Sequence, residues 1–271
     1  MLGAMPRWLR TLLRLTPIVA MASAISVVGL LVFRAVAPIS TLHAASNELG
    51  NYLQTVGGIY AVLLAFVVYV VWGQFNDART YVEREATALV DLHRTASGLP
   101  KSTRIDIQQA LRLYVDEVIA LEWNAMAKHD EDTLEKVGAH LDHVWAAIHA
   151  CCPVNECQHA VFSEVLSRYN DLSDMRTSRL SMSRARIPFM MKALLYLGAV
   201  IVVGSIYLMS VDKLWIHATI TAALAAAVAH ILFLIQDLDN AFAGRLQVSK
   251  AAFERTRRTF DRAIHLVDAA A

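Results

Sequence analysis

The run GGIYAVLLAFVVYVVWGQFNDAR, residues 57–79, decides the fold. It opens on Gly57 and Gly58 and reaches Trp72 without a charged residue. It then leaves its apolar phase through Gln74, Asn76, Asp77 and Arg79 without a proline to break a helix. A bilayer core about 30 Å thick takes about 20 apolar residues of α-helix. The run therefore reads as a membrane-spanning helix that continues past the bilayer into water.

Composition agrees with that reading. The 271 residues are 56% apolar and 18% charged, with a mean hydropathy of +0.42. Soluble domains carry about 25% charged and about 45–50% apolar residues, so the balance is that of a membrane protein. The net charge of +1 hides a segregation, because Arg7, Arg10 and Arg14 precede any acid. All three cysteines, Cys151, Cys152 and Cys157, fall in one loop. An odd, clustered set is not a disulfide framework and suits a reducing compartment. With no strand-like alternation, phosphate-binding glycine loop or internal repeat, the expectation is an all-α membrane protein.

Four spans follow, at about residues 15–36, 56–73, 187–209 and 214–236. The first has basic flanks and an Ala22-Ser23-Ala24 triplet like that of a signal peptide. Its apolar run continues past the triplet to bilayer length, so a retained helix is expected, ended with the help of Pro38. Residues 37–55 read as a linker with no lysine or arginine and one acid, Glu48. Arg79, Arg84 and Arg94 follow the second span, and Arg255, Arg257, Arg258 and Arg262 follow the fourth. This bias places both termini in the cytoplasm of a multi-pass inner (plasma) membrane protein. The expected organisation is a first hairpin within 1–74, a cytosolic helical bundle over 75–186, a second hairpin over 187–236 and a tail over 237–271.

The middle segment reads as four amphipathic helices, a pattern that suggests a bundle. The second span runs on to Ser97, with Val82, Ala86, Leu89, Val90 and Leu92 near one stripe, and Gly98-Leu99-Pro100 ends it. Ser102 or Thr103 is the expected cap of a helix over Lys101–Lys128, carrying Leu111, Tyr114, Val115, Val118, Leu121 and Met126. Asp130 and Asn155 are the expected caps of the next two. Lys192, one turn into the third span, has the reach to snorkel to the interface. A tail helix near Ser249–Ala270 has the residues to lie on anionic lipid or to pack on the bundle.

Several residues are candidates for function. In the second span Gly58, Val62, Phe66, Tyr69 and Gly73 recur at steps of four, four, three and four, on one helical face. A ring of such faces would form an apolar constriction with an aromatic collar. The same spacing also fits packing on neighbours or lipid. His149, Cys151, Cys152, Cys157 and His159, with His140 and His143 nearby, combine soft ligands suited to zinc or copper, although no metal-site spacing is present. His230 is an ionisable side chain deep in the fourth span, suited to a water-filled path or to bonding a neighbouring helix. Asp237, Asp239 and Gly244 suggest a polar turn near a pore mouth. No Ser-His-Asp or carboxylate pair motivates an enzyme, no cofactor is expected, and the short basic run argues against nucleic acid.

Gly57, Ala61, Phe66, Trp72, Phe75 and Ala78-Arg79 resemble, in order, the second helix of bestrophin channels and of a bestrophin-like bacterial family. Glu85-Ala86, Glu122-Trp123, the arginines Arg176 and Arg179, and Leu238-Asp239-Asn240-Ala241-Phe242-Ala243-Gly244 match further short motifs of that family, over most of residues 55–255. The resemblance implies four spans with a helical cytosolic domain between the second and third. It also implies a homo-oligomer, a pentamer in bestrophins, that passes small ions through a neck carried here by Gly58, Val62 and Phe66. Two positions depart from the pattern. Val67, Val68 and Tyr69 follow Phe66 where bestrophins place polar or charged residues, and Ala241 replaces a proline. An oligomeric channel is the leading expectation, and a non-conducting membrane-anchored scaffold or sensor whose bundle binds a partner is the alternative.

Overall fold

A computed structural model describes the backbone of residues 7–37 and 46–268, and the side chains of 16–37 and 49–263. Every regular element among the described residues is helical: α1 (Arg7–Val36), α2 (Ser46–Thr95), α3 (Lys101–Glu117), α4 (Trp123–Lys128), α5 (Glu131–His149), α6 (Glu156–Arg184), α7 (Phe189–Tyr207), α8 (Leu214–Leu238) and α9 (Ala251–Asp268). Four stretches are long and apolar enough to cross a bilayer: Thr16–Val36, Leu49–Gly98, Phe189–Tyr207 and Leu214–Leu238. The protein is an all-helical membrane protein. Contacts divide it into two compact units, one of Met1–Trp72 with Ile187–Asp239, the other of Gly73–Arg186 with Asn240–Ala271. Helix α2 contributes to both.

Helix α2 departs from expectation at its start. It begins at Ser46, ten residues before Val56, within the stretch read as a linker. The polar residues there made it look irregular, yet none breaks a helix, and Thr55 Oγ1 donates back to the Asn51 carbonyl at 2.9 Å. The continuation beyond Trp72 is as expected, and α2 as a whole runs unbroken for 50 residues, about 75 Å of helix. Pro38 and the Glu48 side chain lie outside the described residues, as do the side chains of Arg7, Arg10 and Arg14.

In the apolar unit, α1 lies along α8, and Ser23 Oγ donates to the Ala222 carbonyl at 3.2 Å. The Tyr207 hydroxyl donates to the Ser26 carbonyl at 2.8 Å, beside Gly29. Between α2 and α7, the Tyr60 hydroxyl donates to the Leu195 carbonyl at 2.9 Å. Its ring lies over Gly198, where an added Cβ would come within 2.5 Å of it. Small residues that admit a neighbour closely are the usual means of packing helices in lipid. Gly198→Val is expected to cost about 1–3 kcal/mol through this clash. Gly204→Val, on the same helix with nothing within 4 Å of an added Cβ, is the matched control. Thermal unfolding in detergent compares the two, and equal midpoints would remove the Tyr60–Gly198 contact from the account.

In the other unit the stripes meet as one core, with Leu89, Leu92, Ile107, Leu111, Leu141 and Val144 all buried. Asp130 and Asn155 cap α5 and α6 as expected, accepting from the backbone N–H of Thr133 at 3.3 Å and of Gln158 at 2.8 Å. Ser102 and Thr103 do not cap α3. The helix starts at Lys101 behind Pro100, whose fixed φ of −51° suits a helix entry. The expected single helix over Lys101–Lys128 contains a π-helical turn at Val118–Glu122. That turn rotates the phase of the stripe, which leaves Leu121 50% exposed and Glu122 fully buried.

Helix α9 packs on the bundle. Phe253 and Phe260 are buried, Thr256 Oγ1 donates to the Ala86 carbonyl at 3.1 Å, and Arg255 pairs with Glu83 at 2.6 Å. The His93 ring stacks on Phe260 at 4.3 Å. Burial, with Arg94 beside it, pulls the His93 pKa down from 6.5 to about 4. A depressed folded value gives stability that is whole above about pH 6.5 and is lost as pH falls through about 4. His93→Phe is expected to flatten the melting temperature across that window. An unchanged pH profile would show that His93 does not carry the dependence.

Candidate functional site

Helix α2 has two unlike faces in the apolar unit. Tyr60, Leu64, Val67 and Val71, at steps of four, three and four, are buried. The other face holds Gly58, Val62, Phe66 and Tyr69, and the last three are 71%, 57% and 76% exposed. An added Cβ at Gly58 or Gly73 would meet nothing within 4 Å. The face therefore projects away from the chain's own described helices. It carries no charge and ends in two aromatic rings, so apart from the Tyr69 hydroxyl it offers no side-chain group to replace an ion's hydration shell.

The bundle holds a second feature, a closed cluster of charge. Glu85 comes from α2, Tyr114 from α3, Glu122 from the π turn, and Arg176 and Arg179 from α6. Arg179 donates from Nε to Glu85 Oε2 at 2.6 Å and from Nη2 to Glu122 Oε1 at 2.6 Å. The Tyr114 hydroxyl donates to Glu85 Oε1 at 2.5 Å. Arg176 Nη2 donates to Glu122 Oε2 at 3.0 Å and to the Leu134 carbonyl at 2.9 Å. Glu85, Glu122 and Arg179 have no exposed surface. Two formal charges of each sign cancel, which is the condition under which such groups stay buried. Burial opposes the Arg179 charge, but Glu85 and Glu122 overcome it and raise its pKa well above the ordinary value. Burial, then Glu85 and Glu122, push the Tyr114 phenol well above its usual range.

The four charged residues match short motifs spread between positions 85 and 179, and the fold brings them into one contact set. Trp123 belongs to the same region. Its Nε1 donates to the Val248 carbonyl at 3.3 Å, and its ring meets Phe242 and Phe253 edge-on at 5.5 and 5.9 Å. Tyr114 is the member that sequence reading missed, because its spacing places it in an apolar stripe. The cluster is a structural lock between helices, with no open face for a ligand.

The remaining candidates scatter. Asp239 is buried and accepts from the Ile187 backbone N–H and the Lys192 ammonium, both at 2.6 Å. It holds the start of α7, and Lys192, within the first turn of that helix, pairs with it. Asp237 is half-buried. Gly244 has a φ of 82°, a left-handed conformation that favours glycine. His230 is exposed on α8, whereas His217, passed over in the sequence, is buried with Nε2 2.8 Å from the Ile206 carbonyl. Cys151 is buried, and Cys152, Cys157 and His159 are exposed. His149 lies edge-on to Trp145 at 5.0 Å, and His140 pairs with Glu117 at 3.0 Å. Among the described residues no group of three or more His, Cys, Asp or Glu side chains gathers as a metal site.

The bestrophin-like domain family matches residues 20–253, and the chain belongs to that family. A crystal structure of a bacterial bestrophin homolog from Klebsiella pneumoniae shares the fold, with a TM-score of 0.61 at 14% identity over 92% of this chain and 97% of that one. Two point-mutant forms of the Klebsiella pneumoniae homolog give TM-scores of 0.63 at 12% identity and 0.68 at 11% identity. They cover 89% and 91% of this chain, and 97% and 99% of their own. Likeness at these identities is one of fold. No curated protein matches the chain.

Proposed function

We propose that this bestrophin-like chain is one subunit of a homo-oligomeric channel for small ions in a plasma membrane, with Gly58, Val62, Phe66 and Tyr69 of α2 lining the pore. The observation that carries the reading is the two-faced α2, packed through Tyr60, Leu64, Val67 and Val71 and left bare on the uncharged opposite side. Gly58, Ala61 and Ala65, all exposed, keep that side narrow, which suits close approach of copies of the same helix. By resemblance to bestrophin channels, copies of α2 surround an axis and the helical bundles wall a vestibule on the cytoplasmic side. Val62 and Phe66 then form a constriction that opens when it wets and closes when it dries. Lysine and arginine bias supports cytoplasmic termini.

One observation favours a second reading, a non-conducting anchor whose bundle binds a partner. Val67, Val68 and Tyr69 lengthen the apolar stretch just where bestrophins turn polar. Subunit arrangement separates the two. Native mass measurement and imaging in nanodiscs are expected to give a closed symmetric ring with α2 on its axis. A monomer, a dimer, or a ring with α2 on its rim contradicts the channel.

A further inference from the structure

We propose that the bundle carries a binding site for a soluble small molecule bearing linked phosphates, in the groove formed by the end of α2, the first three turns of α3 and the end of α9. The groove encloses about 490 Å³. That is within the range of small-molecule sites, roughly 300–1,000 Å³, and well beyond the needs of a single inorganic ion.

Its charge is one-sided. Arg94 enters from α2, and Lys101, Arg104 and Arg112 from α3. Asp261 on α9 answers only Arg112, at 2.6 Å. Among the described residues Arg94, Lys101 and Arg104 have no carboxylate partner. A lining of α3 at positions 101, 104, 105, 108, 109 and 112 follows the i, i+3, i+4 spacing that ordinarily carries an apolar stripe. Apart from Ile105, cations and amides stand there instead.

The start of α3 adds to the field. No side chain caps it and no acid stands in its first turn. Lys101 and Arg104, in that first turn, line the groove, so the positive end of the helix dipole lies beside the free cations. Guanidinium groups hold phosphate through paired parallel hydrogen bonds, and linked phosphates carry several such acceptor pairs and charges on one small molecule. Two free guanidinium groups, one ammonium and a helix end match several phosphate charges. Ile105 of α3 with Phe260 and Ala263 of α9 gives the groove an apolar part, which would take the body of the molecule. Gln108 fixes the floor, donating from Nε2 to the His93 carbonyl at 3.2 Å and to Ser97 Oγ at 3.3 Å.

Calorimetry of the purified full chain in detergent, titrated with inorganic tripolyphosphate, tests the site. Saturable binding with one site per chain is expected, weakening as salt is raised. Arg94→Gln with Arg104→Gln is expected to weaken it about tenfold or more, since each removes a charge-assisted pair. Ile105→Trp fills the groove without changing any charge and is expected to abolish binding. Arg84→Gln with Arg168→Gln removes the same charge elsewhere on the bundle and leaves the affinity unchanged. Absence of saturable binding overturns the site, and so does equal weakening in both charge variants. The titration does not depend on ion flux, so its outcome and that of the channel reading stand apart.

Discussion

Arg179→Met is expected to destabilise the bundle by about 3–5 kcal/mol. The substitution keeps much of the side-chain volume but leaves Glu85 and Glu122 facing one another with no surface exposed. Removing one partner from a buried charge pair costs far more than the pair contributes, because the surviving charge cannot reach water. Here Arg179 serves both carboxylates, through Nε and Nη2. Arg176 reaches only Glu122, so it does not substitute at Glu85. Lysine at 179 offers a single ammonium in place of the fork and is expected to fall between wild type and Met. The measurement is the melting temperature in detergent, with a fall on the order of 10 °C for Arg179→Met. Adding Glu85→Gln to Arg179→Met is expected to restore much of the loss, since the one carboxylate still buried, Glu122, keeps Arg176 as its partner. A single variant as stable as wild type would show that the cluster does not lock the helices.

The architecture was legible where local chemistry decides it. Uninterrupted apolar length marked all four spans, and Asp130 and Asn155 announced their helix starts by residue type alone. The α2 face was legible as a spacing, because period alone fixes which residues share a side, but not as bare or packed, which depends on partners distant in sequence. The buried cluster shows the other limit. Glu85, Glu122, Arg176 and Arg179 stood out individually by resemblance, yet on amphipathic helices each also fits a solvated surface. What joins them is a π turn at Val118–Glu122, and no residue there signals an extra residue in the turn. The start of α2 was missed for a related reason, since polar residues that neither break nor favour a helix leave the decision to context. Asp239 looked like a helix end meeting solvent because its partners, Ile187 and Lys192, lie about fifty positions back.

Phe66→Ala is expected to raise ion flux several-fold in reconstituted liposomes. In the proposed ring Phe66 is the largest side chain between Gly58 and Tyr69, and it projects from the face opposite the buried Leu64 and Val67. Replacing it widens the neck and shortens the dry stretch, and both lower the barrier to a wetted path. Because Phe66 is 57% exposed, its removal leaves no packed cavity in the subunit, so the variant should keep its melting temperature. Leu64→Ala supplies the contrast. That side chain is buried in the apolar unit, and its loss should lower stability by about 2–5 kcal/mol while leaving the neck lining in place. Equal flux from wild type, Phe66→Ala and empty vesicles would remove conduction from the account and favour the anchor reading.

A cysteine scan of α2 tests the central claim most directly. Cys151, Cys152 and Cys157 are first replaced by serine, since two of them are exposed and would react. Single cysteines are then placed from Gly58 to Tyr69, and flux is recorded before and after a water-soluble thiol reagent is added. The account predicts block at Gly58, Val62, Phe66 and Tyr69, in steps of four, four and three, and none at Tyr60, Leu64 or Val67. Block in the opposite phase, or no block at any position in a conducting protein, would contradict it.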